Sequence, residues 1–190
     1  MSTYLFNNSH LIIKDENINF SYEEEFNPIL IPENLKNGLK VTEDHTLKVF
    51  RFSDGSFEYS IQKDGLFDGE YLLSYPNGKT KLHCYYKSNQ LHGPSIFYSP
   101  SEKPLVESWF LMGKKTGRLS SFYQSGSKFS LQLFLNNVWH GKQLFWYEDG
   151  TLKTSMDYEN GEVHGKVILF YPNGDLKREL VFNKGICIEL

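Results

Sequence analysis

The sequence is short of several features that mark common classes of protein. Its two cysteines, Cys84 and Cys187, lie far apart and form no Cys-x-x-Cys pair, which is typical of reduced thiols in a cytoplasmic protein. The longest apolar run near the N-terminus is Leu11–Ile13, and no basic segment precedes it. A secretory signal is therefore not expected, and no run anywhere in the chain has the length of a transmembrane helix.

An excess of positive charge is also lacking. The formal net charge is -3 over 190 residues. Residues 1–44 carry eight acidic and three basic side chains, against 15 and 17 in residues 45–190. Neither part has the basic excess that binding to a phosphate backbone requires, so nucleic acid is not an expected partner. A membrane surface is not favoured either, because it calls for a basic stripe that the pattern does not show.

Aromatic residues, by contrast, are abundant. The chain contains 15 Phe, 12 Tyr and 3 Trp. Large aromatic side chains lose rotamer freedom in helices and pack well on half-buried strand surfaces. This composition predicts an all-β protein, and the 39% hydrophobic content is enough to support a core.

Glycine recurs with a period of 24 residues, which identifies a tandem repeat. The segments Trp139 to Gly161 and His164 to Gly185 are two copies that can be recognised by eye. A closing-turn column contains only Gly and Asn, the residue types that tolerate a left-handed backbone. The columns are Gly69, Gly93, Gly117, Gly141 and Gly165; Gly78, Gly126, Gly150 and Gly174; Tyr75, Tyr123, Tyr147 and Tyr171; and Gly65, Asn89, Gly113, Asn137, Gly161 and Gly185.

Each unit reads as a start glycine, a strand of about six residues, a turn, a second strand and a closing turn, which together make one β-hairpin. A lone hairpin is marginal in water, so the units are expected to pair edge to edge in one elongated sheet. At ~4.8 Å per strand, five units would extend ~48 Å. The predicted domains are an N-terminal cap, 1–44, and a repeat array, 45–190, with units 45–68 (degenerate), 69–92, 93–116, 117–140, 141–164 and 165–188.

Two regions depart from the pattern. In unit 93–116 the segment Ser99 to Pro104 replaces the usual Asn-Gly turn, which predicts a longer, protruding loop. Residues 1–44 break the period and are expected to cover the first edge of the sheet, with a short hairpin formed by Leu11–Lys14 and Ile18–Tyr22.

The pattern Gly-x5-Tyr-x-Asn/Asp-Gly-x-Leu-Lys resembles the MORN-repeat variant found in many bacterial proteins. Residues 147–153 and 171–177 carry the match best, and the resemblance covers 69–188 well, 45–68 weakly and 1–44 not at all. It implies a non-enzymatic module that binds another protein, as an antitoxin-like or immunity-like partner of a toxin or as a scaffold. A membrane-associated module and a bacterial effector that binds a host protein are the alternatives it leaves open.

The sequence contains two possible chemical sites, but neither predicts a catalytic residue, a cofactor or a metal site. His92, His140 and His164 precede start glycines, but equivalent positions lie ~9.6 Å or more apart, too far to share one metal. We expect them to form local hydrogen bonds. Cys84 and His83 are adjacent in a strand and point to opposite faces, so they cannot act together.

A run of apolar side chains is predicted to form the partner-binding site. In the second strand of unit 141–164 one face holds Lys153, Ser155 and Asp157, whereas the same face of unit 117–140 holds apolar residues. Exposed apolar patches commonly mark interaction sites. The alternatives are that residues 1–44 fold over the patch, or that the strand register is off by one. The predicted site residues are Tyr85, Trp109, Phe129, Leu131 and Leu133.

Overall fold

The structure is a computed structural model that describes residues 2–6, 9–13, 20–23 and 45–188, and every regular element within them is a β-strand. Strands β1 (Ser2–Phe6), β2 (Ser9–Ile13) and β3 (Phe20–Glu23) form a small antiparallel sheet in that order. The predicted N-terminal hairpin therefore exists as β2 and β3. Residues 24–44, which belong to the predicted cap, lie outside the described residues.

All other strands belong to one antiparallel sheet in which neighbours in sequence are neighbours in space. This confirms the predicted single sheet of successive hairpins. The short strand β12 pairs with β11 alone, and β1 of the small sheet approaches β8. The strands are β4 (His45–Arg51), β5 (Phe57–Lys63), β6 (Leu66–Ser74), β7 (Thr80–Lys87), β8 (Gln90–Tyr98), β9 (Pro104–Leu111), β10 (Lys114–Phe122), β11 (Lys128–Leu135), β12 (Val138–Trp139), β13 (Gly141–Trp146), β14 (Leu152–Glu159), β15 (Glu162–Phe170), β16 (Leu176–Asn183) and β17 (Ile186–Ile188).

Four of the five start glycines lie inside their strands, and of the five Gly141 alone begins its strand, which corrects the predicted unit. Gly69 lies inside β6 with φ +123°, where the pairing with β5 slips between Ser60 and Gln62. A Cβ at Gly69 would lie 3.1 Å from the side chain of Ile61. Only glycine fits a left-handed position with a side chain packed directly on its Cα, so this column marks a bulge rather than a turn.

The tyrosine column ties each hairpin to the next. The hydroxyls of Tyr75, Tyr123 and Tyr147 donate to backbone carbonyls 23 residues later, at 2.7, 2.9 and 3.1 Å. The acceptors are the last residues of the following first strand, Tyr98, Trp146 and Phe170. The 24-residue step of the column matches these contacts, because each of these hydroxyls reaches a carbonyl in the next hairpin.

The turn of unit 93–116 is not longer than the others, so the prediction of a protruding loop is wrong. Ser99 N–H donates to the Lys103 carbonyl at 2.8 Å, as Tyr75 N–H does to Lys79 at 2.7 Å. Glu102 takes the glycine position with φ +63°. Lys103 replaces the missing tyrosine by donating from Nζ to the carbonyl of Ser125 in the next turn, at 3.0 Å.

Residues paired directly from strand to strand form a continuous row across the sheet, and we call the side they occupy face A and the opposite side face B. Within this row Tyr59 and Leu72 are buried, and they form a hydrophobic cluster with Ile61, which lies two residues beyond Tyr59 in β5. The row is Val49, Tyr59, Leu72, His83, Ile96, Glu107, Ser120, Leu131, Leu144, Ser155, Ile168 and Glu179.

Candidate functional site

The strand register places Leu131 and Leu133 on face A, as the sequence predicted. Leu131 lies opposite Ser120 on one side and Leu144 on the other, and Leu133 lies opposite Arg118. Both leucines are half-buried. Leu133 also packs over the bulge at Gly141, where an added Cβ would come within 3.3 Å of its Cδ1. The inversion of the apolar pattern in this unit is therefore real.

Trp109 and Tyr85 share face A, and Trp109 lies in its buried part. Trp109 is only 2% exposed, so the interpretation of this residue as accessible surface is wrong. Tyr85 is half-buried and lies opposite Glu70. Arg118 of β10 lies between the Trp109 strand and Leu133, and its burial lowers the pKa of the guanidinium. The predicted patch is consequently divided into a buried part and a half-exposed part.

Phe129 does not continue the row of Leu131 and Leu133. It lies where the pairing of β10 with β11 slips, between Ser121 and Phe122, and a bulge interrupts the alternation of faces. Its ring contacts Tyr123 at 5.2 Å and Phe145 at 6.0 Å between centroids. Phe129, 38% exposed, takes the place of the lysines that lie over tyrosine rings in other units.

The half-exposed part of face A is larger than the sequence indicated, because first strands contribute to it. Leu144 and Ile168 flank the small side chain of Ser155 in the central row. Trp146 and Phe170 lie two residues further along the same strands and are also half-buried. The same alternation rule, applied to the segments after Gly141 and Gly165, would have found all four.

Ion pairs border this apolar surface. Lys142 Nζ lies 2.7 Å from Asp157 Oδ1, and Lys166 Nζ lies 2.7 Å from Glu179 Oε1. The hydrogen bond from Lys166 to Glu179 raises the pKa of the lysine. An apolar centre with a solvated, charged rim has the composition of a protein interface. We call the five half-buried residues Leu131, Leu144, Trp146, Ile168 and Phe170 the apolar centre of face A.

The aligned histidines accept backbone hydrogen bonds, as expected for a structural role. Nδ1 of His92, His140 and His164 accepts from the N–H of a residue 20 positions later, at 3.3 to 3.4 Å. In the first unit the carboxylate of Asp68 accepts from Ser88 N–H in the same way, at 3.1 Å. Within the part of the chain that the structure describes, no group of three His, Cys, Asp or Glu side chains is placed to hold a metal ion.

A close contact between an acidic and a basic side chain lies in the buried part of face A. Glu70 Oε1 and His83 Nε2 are 2.6 Å apart on face A, and the Glu70 side chain is 2% exposed. A general acid or base must reach the reacting group of a substrate, and this carboxylate is closed off from solvent. On face B, burial raises the pKa of the Cys84 thiol to about 12, so Cys84 is not activated as a nucleophile.

Comparison with known proteins agrees with the hairpin pattern. A family model described as the MORN repeat variant matches residues 67–88, 139–160 and 163–184, each of which covers the two long strands of one hairpin. No curated protein matches the chain. A solved structure titled "Crystal structure of GtfA/B complex bound to UDP and GlcNAc" matches at 9% identity and a TM-score of 0.27, covering 76% of this chain and 25% of that chain. This chain thus spans about a quarter of the length of the chain that it matches. No described helix is long and apolar enough to cross a bilayer.

Proposed function

We propose that this chain, three segments of which match the MORN repeat variant, is a non-enzymatic module that binds another protein through face A. The observation that supports the site is the apolar centre, in which Leu131 lies directly opposite Leu144 at the middle of a row that ends in the charged Glu179. Apolar side chains at the centre of an interface, inside a polar rim, provide most of the binding energy in protein complexes.

The repeat geometry supports binding rather than catalysis. Successive units present equivalent side chains at a spacing of ~9.6 Å, so they form an extended surface and not a convergent pocket. An enzyme needs nucleophile, base and oxyanion donors within hydrogen-bond reach of one point. The buried Glu70–His83 pair and the unactivated Cys84 do not provide such a point.

The experiment compares two Leu→Asp variants of the full chain. Leu131→Asp places a charge at the apolar centre, and Leu169→Asp places the same charge on face B, where Leu169 is also half-buried and lies opposite Thr154 and Arg178. We expect Leu131→Asp to lose proteins captured from native cells and Leu169→Asp to retain them, with similar thermal midpoints. A loss of about 2 kcal/mol or more in binding is typical for the centre of an interface.

The thermal midpoint separates the possible outcomes. If Leu131→Asp unfolds, Leu131 belongs to the core of the fold and not to a binding surface. If it folds and still captures the same proteins, binding through face A is refuted.

An antitoxin-like or scaffold role is the more specific form of the proposal, and it predicts that the captured protein is a toxin or a member of a larger assembly. A membrane-associated role predicts instead that the chain sediments with lipid vesicles.

A further inference from the structure

The first strand of the large sheet, β4, has an unusually regular open edge. All seven residues from His45 to Arg51 pair with β5 in unbroken register. Most later strand pairs contain a slip of register, as at Ser60 and Gln62 between β5 and β6. No strand among residues 2–6, 9–13, 20–23 and 45–188 pairs with the outer edge of β4. This edge therefore presents a straight row of backbone donors and acceptors.

The side chains of β4 leave apolar surface beside that edge. Leu47, Val49 and Phe50 are 42%, 57% and 60% exposed. On face A, Leu47 lies opposite Ile61 and Val49 lies opposite Tyr59, two members of a buried hydrophobic cluster. This cluster thus lies one strand away from an edge with which no described strand pairs. An added strand would cover Leu47 and Val49 and extend the cluster.

Face B of the same edge carries a groove. Phe50 and Phe52 stack edge to face with centroids 4.9 Å apart, and they border a groove of about 480 Å³. The groove also includes Lys48 and three β5 side chains, Glu58, Ser60 and Gln62. A row of backbone groups with side-chain sites on both faces is what a bound peptide strand requires.

We propose that the edge of β4 receives an extended segment of a partner protein in which acidic and apolar residues alternate. This inference rests on the proposed function and names the kind of partner. Natural edges that must stay unpaired carry proline, bulges or charged side chains, and β4 has no proline and no bulge. Lys48 lies on face B and Arg51 lies on face A at the end of the strand, so a strand with acidic residues beside Lys48 and apolar residues beside Leu47 and Val49 matches the edge.

Charge also argues against a second copy of this chain as the occupant. Antiparallel pairing of two β4 edges would bring two lysines and two arginines into one narrow interface. Like charges opposite each other on paired strands are unfavourable. Glu58 offers little compensation, because its carboxylate already accepts a hydrogen bond from the Tyr71 hydroxyl at 3.1 Å.

The test uses the full chain and two synthetic peptides. One fluorescent nine-residue peptide alternates glutamate with valine and phenylalanine, and the second has lysine in place of glutamate. We expect fluorescence anisotropy at low salt to show binding of the acidic peptide at least about tenfold tighter than binding of the basic one. The double variant Lys48→Glu, Arg51→Glu should reverse this preference, whereas Lys87→Glu, at an exposed position in β7, should leave it unchanged.

Hydrogen exchange in Thr46–Arg51 provides an independent readout. In the free chain, alternate amides of this segment should exchange rapidly and should become protected when the acidic peptide is added. The proposal is overturned if neither peptide binds, if both bind equally, or if all these amides are protected beforehand. Protection lost on dilution would identify a second copy on the edge, and protection that persists would identify a segment of the chain itself. Capture through Leu131 is measured separately, so failure at the edge and failure of the proposed function can be distinguished.

Discussion

The side-chain amide of Gln143 forms hydrogen bonds with both backbone polar groups of Leu133. Its Oε1 accepts from Leu133 N–H at 3.0 Å, and its Nε2 donates to the Leu133 carbonyl at 3.0 Å. Gln143 is fully buried, and it lies where the Gly141 bulge interrupts pairing between β11 and β13. The Leu133 carbonyl also accepts from His140 N–H, so the Gln143 side chain replaces the missing backbone partner of the Leu133 N–H.

Removing this amide should be costly. Gln143→Leu leaves the Leu133 N–H without a partner, whereas the Leu133 carbonyl still accepts from His140 N–H at 3.0 Å. We expect a loss of about 1 to 3 kcal/mol in the free energy of unfolding. Gln132→Leu, at a half-buried glutamine on the adjacent strand, is the control and should change stability little. Urea melts of both variants measure the difference, and equal midpoints would contradict the role of Gln143.

The tyrosine column provides a second matched pair. Tyr147→Phe removes the hydroxyl that donates to the Phe170 carbonyl at 3.1 Å and should lower stability by about 1 kcal/mol. Tyr171 occupies the same column in the last unit and is 48% exposed. Tyr171→Phe should therefore be nearly neutral. Thermal melts that show the same change for both variants would mean that the hydroxyl contact contributes nothing.

The closing-turn column is left-handed, as the sequence predicted. Gly161 and Gly185 have φ of +87° and +79°, and Asn137 has +73° at the equivalent position. A valine at Gly161 should cost roughly 1 to 3 kcal/mol because a β-branched side chain strains this backbone region. Its Cβ would lie 3.5 Å from Val138, an ordinary van der Waals distance, and the space at Gly185 is open, so neither position adds a clash to the backbone strain. Denaturant melts should thus show a similar loss for Gly161→Val and Gly185→Val, with Gly161→Asn close to the wild type.

Glu102 is a position where stability can be gained. It holds φ +63° in a column that contains glycine in the other turns. Replacing it with glycine removes the strain of a left-handed non-glycine residue and should stabilise the fold by about 1 kcal/mol. The ion pair with Lys79, 3.4 Å long between half-exposed side chains, is lost and contributes little. A lowered midpoint for Glu102→Gly in a thermal scan would refute this expectation.

The two cysteines should differ in reactivity. Cys187 is exposed and Cys84 is buried, and burial raises the pKa of the Cys84 thiol to about 12. At pH 8 a thiol reagent should modify Cys187 quickly and Cys84 only after unfolding. Because the folded chain holds the Cys84 proton more tightly than the unfolded chain, stability should fall as pH rises from about 9 towards 12. We also expect no bridge between the two thiols, and the intact mass of the native protein checks this.

The 24-residue period of the sequence predicts most of the fold but only part of the candidate binding site. Left-handed turns and antiparallel hairpins follow from local residue types. These residue types recur in columns, which makes the turns and hairpins predictable from the sequence. The turn at Ser99 was misjudged because its prolines suggested extra length, although the preserved period already required five residues between β8 and β9. Phe129 was misplaced because a bulge adds one residue and breaks the alternation of faces.

The burial of Trp109 could not be read from its own strand. Alternation assigns a side chain to a face, but it does not say what packs on that face from a distant part of the chain. Trp109 is 2% exposed and Leu133 is half-buried, although both continue the same side of the sheet. Exposure along face A changes from one half of the array to the other, and the repeat pattern is the same in both.

The tyrosine and closing-turn hydrogen bonds each reach only one hairpin ahead or behind, as with Tyr75 to Tyr98 and Gly161 to Trp139. No such bond clamps the two ends of the array together within residues 45–188. Tension that pulls the two ends of the array apart would therefore unfold one hairpin at a time. Each unit that opens would release about 80 Å of extended chain. The array would lengthen in regular steps under load, and its mechanical strength would be that of its weakest hairpin rather than the sum of all of them.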